Sequence, residues 1–383
     1  MKRGKLIRSI NHWNEYTTTK KNLKDLVIQN IDFASSDIDW SSFEFDDTVF
    51  INCSFKQEDA AELIQLGAFI YPKFDNLPFN PNRKGLYSYD ELLDGYDPEH
   101  DNSIDLQIYK HFSLNKYNPG FHQAMAQRLH DFNIDESLRE LLIYDNKGMT
   151  DKKAVGFMGG HSEKRGSEYF VKVALSAKLL AENGYYIVSG GGPGIMEAAN
   201  LGAYMAGRTT DNLYTAIDIL SDLDFGDIKT ELKDFYAKNY ILQAQKVLEE
   251  FPGSVENLAI PTWFYGHEPT NVFASHIAKY FSNSIREDTL LAISLYGVVF
   301  APGSAGTTQE IFQEAAQNHY GTFGYYSPMI FLGKERYVED TSLYSVLHQL
   351  AKGQPYKELL HLTDSPQDIL DFIKNNPPIP AIH

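Results

Sequence analysis

From residue 152 onward, short apolar runs alternate with longer stretches in which apolar residues recur every three or four positions. The short runs read as strands and the longer stretches as amphipathic helices, because side chains repeat with period two along a strand and about 3.6 along a helix. The strands expected are Ala154–Met158, Tyr185–Ser189, Leu213–Leu220, Asn257–Trp263, Gly297–Ala301 and Met329–Leu332. The helices expected are Ser167–Asn183, Ile195–Ala206, Lys229–Glu250, Val272–Ser294 and Thr307–Asn318, with a further pair after Thr341. Gly184 stands where a helix C-cap favours a residue free to take positive φ. Short apolar strands separated by helices predict a parallel sheet covered on both faces, the doubly wound, Rossmann-like α/β class. In such sheets ligands bind beyond the C-terminal ends of the strands, where strand order reverses.

The first 150 residues follow another pattern. Residues 26 to 55 divide into fives, LVIQN, IDFAS, SDIDW, SSFEF, DDTVF and INCSF, centred on Ile28, Phe33, Ile38, Phe43, Thr48 and Cys53. This resembles the pentapeptide-repeat pattern, in which four units form one square coil of a β-helix with the central residue inward. Six units supply about one and a half coils, which need a neighbour to cover them. Two or three ordinary amphipathic strands would produce part of the same alternation. Glu58–Leu66 and Gly120–Leu142 have helical spacing, and Pro72, Pro78, Pro81 and Pro98 punctuate the chain between them. The polar stretch Asp145–Asp151 marks the expected boundary between an N-terminal extension, 1–150, and a doubly wound domain, 151–383.

Composition narrows the function classes. Hydrophobic residues make up 43% of the chain and aromatics 13%, enough for a packed core. With 34 basic and 51 acidic residues the net charge is −17, which argues against nucleic-acid or anionic-membrane binding. An anionic ligand must therefore find a locally positive pocket. Cys53 is the sole cysteine, so no intramolecular disulfide forms, and a cytoplasmic location is expected. No apolar stretch reaches the roughly 18 residues a membrane span needs.

The candidate chemistry sits in two glycine-rich turns, each between a strand and a helix. One runs Ser189-Gly190-Gly191-Gly192-Pro193-Gly194-Ile195-Met196-Glu197, the other Pro302-Gly303-Ser304-Ala305-Gly306-Thr307-Thr308-Gln309-Glu310. Glycine lets backbone N–H groups approach an anion closely, and a helix N-terminus adds unpaired donors and partial positive charge. A dinucleotide fingerprint would need its third glycine at Ile195 or Glu197, and neither turn ends in the Gly-Lys-Ser/Thr of a P-loop. Gly160 and Ser162, after the first strand, lie at the same sheet edge. Glu310 falls in the first turn of its helix, where an acid complements the dipole or, beside a phosphate, stabilises positive charge developing in a reaction. Arg286 offers a guanidinium fork for phosphate or a base, or a surface ion pair. Lys164 and Arg165 either meet phosphate or form a solvated loop, and His161 reads as packing or capping more than catalysis. No cysteine–histidine cluster has metal spacing, and the absence of lysine between Lys279 and Lys334 argues against a pyridoxal-phosphate Schiff base near the second turn.

Residues 153–376 resemble the LOG family of nucleotide phosphoribohydrolases. Gly190 to Asn200 matches that family's triple-glycine stretch with its Met-containing helix start. Pro302 to Glu310 matches its Pro-Gly-Gly-x-Gly-Thr-x-x-Glu signature, with Ser304 in place of the second glycine. The family's helical arginine corresponds best to Arg286, one residue off the usual spacing, and the long N-terminal extension makes the chain more similar to the longer bacterial nucleotide 5′-monophosphate nucleosidases. The resemblance implies hydrolysis of a nucleoside 5′-monophosphate to free base and ribose 5-phosphate, without metal or organic cofactor. It implies Glu310 and Arg286 as catalytic residues, and Gly160, Ser162, Gly191, Gly192, Gly194, Gly303, Ser304, Ala305, Gly306, Thr307 and Thr308 around the phosphate. It also implies a homo-oligomer, paired through the expected long helix Val272–Ser294. A non-catalytic nucleotide sensor using the same pocket is the alternative.

Overall fold

The computed structural model describes residues 5–71, 73–74, 76–143, 150–226 and 233–381. The chain divides into two compact units, one of Met1–Lys84 and Pro119–Asn133, the other of Gly85–Asn118 and Ile134–His383. Both interruptions fall within the stretch expected as a single extension.

The larger unit is built on seven parallel strands, β1 (Lys153–Met158), β2 (Tyr185–Ser189), β3 (Leu258–Ala259), β4 (His276–Ile277), β5 (Val298–Phe300), β6 (Met329–Leu332) and β7 (Leu360–Thr363). Their spatial order is β4-β3-β2-β1-β5-β6-β7. The chain starts in the middle, winds out to one edge, then returns and winds out to the other. Four helices position the cleft: α1 (Glu168–Glu182), α2 (Ile195–Tyr204), α3 (Asn283–Ile293) and α4 (Ala305–Tyr320). Alternation along the strands sorts the two faces. Val155, Phe157, Ile187 and Val299 pack into one core with Phe170, Val173 and Ala174 of α1 and Ala198 of α2. Gly156 faces the other way, and a Cβ there would lie 2.5 Å from Ser294 Oγ, just past the end of α3. Helices thus cover both faces, as a doubly wound sheet requires.

Three expected elements differ. Leu213–Leu220 is not a strand but lies inside the helix Thr210–Ser221. Its buried Leu213, Ala216, Ile217 and Leu220 have i, i+3, i+4, i+7 spacing, and the Thr209 hydroxyl accepts from Asn212 N–H at 3.2 Å as an N-cap. The long helix Val272–Ser294 is not formed, since its first half is drawn into the sheet, with His276 and Ile277 paired to Leu258 and Ala259. What remains, α3, buries Leu290, Leu291 and Ile293. The helix expected over Lys229–Glu250 begins at Tyr240, preceded by a 3-10 turn at Asp234–Tyr236, and residues 227–232 lie outside the described residues.

In the smaller unit the strands Lys5–Ile7, Leu26–Gln29, Val49–Ile51 and Phe69–Tyr71 form a parallel sheet in that order. Asn22 sits opposite Glu44, Val27 opposite Val49 and Asp32 opposite Ser54, each 22 residues on. One coil therefore stacks on the next with two residues more than four fives. Asp25, Asn30, Asp47 and Asn52, with φ of 54°, 59°, 52° and 51°, turn equivalent corners, a conformation Asp and Asn tolerate best among non-glycine residues. Ile28, Phe33, Phe43 and Thr48 point into the core, and Ile38 and Cys53 are partly buried. Phe33 packs edge-on against Trp13, Trp40 and Phe50. Aromatic rings fill what two short coils cannot.

Candidate active site

β1 and β5 are neighbours, yet the chain leaves β1 toward β2 and leaves β5 toward β6. The loops beginning at Gly159 and Pro302 therefore part at the C-terminal edge of the sheet and leave a crevice. Backbone bonds fix its floor. Gly160 N–H donates to Pro302 O at 2.9 Å, and Ile195 N–H, at the start of α2, donates to Gly160 O at 3.1 Å. The resulting cleft of about 370 Å³ is lined by the expected Gly160, Arg286, Ser304, Gly306, Thr307 and Glu310.

The second glycine turn opens α4 toward this cleft. Ser304, Ala305 and Gly306 are exposed at the helix N-terminus, and no side chain caps it. Its first-turn N–H groups have no intrahelical acceptor, so they stay available to an anion. Thr308 spends its hydroxyl on Ser304 O at 3.1 Å. Gly303 turns its carbonyl to Arg336 Nη2 at 2.8 Å, and a Cβ on it would lie 3.0 Å from Gly160 N. Arg336, which sequence reasoning did not single out, thus holds the back of this turn.

The first glycine turn is placed differently. Gly191, Gly192 and Gly194 are buried, and it is Gly190 of that stretch that lines the cleft. Gly191 has φ 74° and donates to Ser189 Oγ at 3.0 Å, while Gly194 has φ 68° and presses against Gly160, where a Cβ would meet the carbonyl oxygen at 2.5 Å. These glycines serve the close meeting of loops beneath the cleft. Ser162 is exposed and does not line it.

Arg286 on α3 and Glu310 on α4 meet at 3.5 Å between Nη1 and Oε1. Arg286 Nη2 donates to Asn283 Oδ1 at 2.9 Å, and its buried Nε has no partner among the described residues. Glu287, 3.8 Å from Arg286 Nη2, accepts from Asn283 Nδ2 at 2.8 Å and Gln309 Nε2 at 2.7 Å. Glu310 is only 9% exposed, and burial pushes its carboxyl up to about 7; Arg286 opposes that rise and the Glu287 charge adds to it. Near neutral pH this group is poised between its two protonation states.

His161 enters the cleft with two partners that the sequence had not indicated. Its Nδ1 is 2.7 Å from Glu268 Oε1, and its Nε2 is 2.8 Å from Lys233 Nζ. Both partners are far away in sequence, and no local spacing marks them. Arg165, by contrast, turns into the core. It grips Glu197 through Nε at 2.8 Å and Nη2 at 2.5 Å, and lies 3.5 Å over the Tyr240 ring, so it is a structural residue rather than a phosphate ligand. Lys164 is exposed. Among the described residues no group of three His, Cys, Asp or Glu side chains is arranged to hold a metal ion, and no helix is long and apolar enough to cross a membrane.

No family model and no curated protein matches the chain. Among solved structures it is similar to the molybdenum cofactor binding protein from the phototrophic bacterium Rippkaea orientalis, at 15% identity and TM-score 0.36, covering 58% of this chain and 96% of that one. It is also similar to the Moco carrier protein from Chlamydomonas reinhardtii, at 15% identity and TM-score 0.34, covering 58% and 96%. Likenesses this distant leave the reading of the cleft to its own residues.

Proposed function

We propose that this protein hydrolyses the N-glycosidic bond of a nucleoside 5′-monophosphate, releasing the free base and ribose 5-phosphate. The observation that carries this reading is the buried carboxylate of Glu310, set one helical turn inside an exposed helix N-terminus. An anion is drawn to such a terminus by its free N–H groups and dipole. A carboxylate beside that anion is disfavoured twice, by burial and by like charge, unless positive charge develops next to it.

Cleavage of an N-glycosidic bond develops that charge. The C1′–N bond breaks with its electron pair leaving on the base, and the sugar becomes oxocarbenium-like. Ionised Glu310 stabilises this sugar and orients the attacking water, whose oxygen bonds to C1′. One water proton stays on the new sugar hydroxyl and the other ends on the departing base. Arg286 holds Glu310 in place. Phosphate on α4 supplies binding energy remote from the breaking bond, which holds the sugar in reactive geometry.

The test is incubation with AMP, GMP, CMP, UMP and IMP, with free base and ribose 5-phosphate assayed together. Stoichiometric release of both is expected. Tight binding without release would instead make the protein a nucleotide sensor using the same cleft, and no binding of any of the five would overturn both readings.

A further inference from the structure

We propose that Glu268 is the sugar-reading residue of this cleft, accepting hydrogen bonds from the ribose hydroxyls and so favouring ribonucleotides over 2′-deoxyribonucleotides. This rests on the nucleotide reading above and adds to it a specificity that neither glycine turn carries.

Glu268 is oriented by a relay. Lys233 Nζ lies 2.8 Å from His161 Nε2, and because a lysine ammonium only donates, Nε2 must accept. The ring proton is then on Nδ1, which donates to Glu268 Oε1 at 2.7 Å. The edge of Phe235, with ring centroids 5.9 Å apart, backs the imidazole. One carboxylate oxygen is thereby fixed. The other, Oε2, stands over the first glycine turn, where a Cβ on Gly192 would lie 2.7 Å from it. It makes no hydrogen bond to any described residue, and Glu268 lines the cleft.

That location settles which part of a nucleotide it meets. Oε2 lies against the Cβ side of Gly192, and its negative charge disfavours phosphate there. The phosphate therefore goes to the open end of α4. The two turns are joined through Gly160, which donates to Pro302 O and accepts from Ile195 N–H. The group next to a phosphate on α4 is the ribose, with the base one step further. A carboxylate only accepts, phosphate dianions donate nothing, and a ribose offers hydroxyl donors at 2′ and 3′. Dinucleotide-binding folds meet the same need with an acidic residue on the ribose 2′-hydroxyl. A 2′-hydroxyl held by a carboxylate also stabilises the oxocarbenium-like sugar, so the contact serves turnover as well as binding. His161 and Lys233 act through Glu268 and are positioning residues.

Calorimetric binding to the full-length Glu310→Gln variant, in which hydrolysis is slowed, tests this without relying on turnover, and the sugar-phosphate probes carry no N-glycosidic bond to hydrolyse. The probes are AMP, 2′-deoxy-AMP, IMP, ribose 5-phosphate and 2-deoxyribose 5-phosphate. A charge-assisted hydrogen bond predicts that the ribo form binds about 10- to 100-fold tighter than the deoxy form in both the nucleotide and the sugar-phosphate pair. Adding Glu268→Gln should shrink both ratios to a few-fold, and His161→Ala should shrink them part of the way. A purely structural role would weaken ribo and deoxy forms alike and leave the ratio intact.

Equal affinity for ribo and deoxy forms with Glu268 in place overturns the proposal, as does a ratio unchanged by Glu268→Gln. A Glu268→Gln effect confined to AMP against IMP moves the residue to the base and overturns it too. If Glu268→Gln does not fold, the ratio in the chain with Glu268 intact decides. Base release from wild type with equal ribo and deoxy affinity sinks this inference alone, whereas no binding of any probe sinks the nucleotide reading with it.

Discussion

At Glu310 the demands of folding and of the proposed catalysis pull on one proton. Burial holds its carboxyl near 7 rather than the ordinary 4.5. If the ionised form is the active one, kcat/KM for base release rises with pH through about 7, and the rise disappears in Glu310→Gln. A bound phosphate raises the proton affinity further, so the kcat profile should sit at higher pH than that of kcat/KM. At its optimum the Gln variant should lose about 10²–10³ in turnover while nucleotide affinity changes little, as for loss of one well-placed electrostatic group. Wild-type turnover in that variant would remove Glu310 from the mechanism. The stability sign is opposite to the activity sign. A raised acid contributes fully below its unfolded value, and the contribution is lost as pH rises through the folded one.

Helix α4 shows how one element divides these tasks. It starts at Ala305 with Ala305 and Gly306 exposed and Thr307 buried, which puts buried Glu310 in the second turn instead of the expected first, and Glu314 one turn on is 3% exposed. Burial alone pushes Glu314 up to about 8, and Asn318 Nδ2 is its described neighbour at 3.4 Å. Between pH 5 and 9 ionisation of Glu314 should therefore cost stability, and Glu314→Gln should raise the melting temperature at pH 9 far more than at pH 5. Thermal unfolding at the two pH values checks this, and an equal shift at both would show that Glu314 is not the titrating group. The two glycine turns should also separate by experiment. If phosphate binds as proposed, Thr307→Val is expected to weaken 5′-monophosphates about 10-fold while leaving nucleosides unaffected, because a neutral donor to the phosphate is lost. Gly194→Ala should instead lower the melting temperature, since φ 68° and the Gly160 carbonyl oxygen exclude a side chain. A Thr307 variant with unchanged AMP affinity would put the phosphate elsewhere.

At the scale of the whole molecule, the segment Gly85–Asn118 belongs to the larger unit and carries one of its buried charges. Asp105 accepts from Lys279 Nζ at 2.8 Å, Trp263 Nε1 at 2.7 Å and the Thr270 hydroxyl at 3.1 Å. All three donors lie more than 150 residues away in sequence. Asp105→Ala strands a buried ammonium and an indole N–H, and a broken buried pair costs about 3–5 kcal/mol. Urea unfolding of the full chain should show that loss, with a smaller one for Asp105→Asn, which keeps an acceptor. A chain beginning at residue 151 lacks this carboxylate altogether and should be less stable than the full-length protein. If it unfolds at the same urea concentration, the segment is dispensable and this account of Asp105 fails.

Periodicity by itself determined the doubly wound class, the strands at 154–158, 185–189 and 329–332, and the helix that begins at the second glycine turn, because local spacing dictates which face a residue buries. It also marked the five-residue frame that becomes stacked coils; Glu310 and Arg286 stood out by their places around the second glycine turn, whereas their contact across α3 and α4 is tertiary. It misread Leu213–Leu220, where a helical stripe of apolar residues looks like a β run once the polar residues between are discounted. It misread Val272–Ser294, where pairing with Leu258 and Ala259 overrode helical spacing. Only the tertiary structure could show that one glycine turn is packed shut while the other stays open, and that His161, Glu268 and Lys233 come together. Those facts depend on which loops meet at the C-terminal edge of the sheet, and side chains 72 and 107 residues apart leave no periodic trace of their contact.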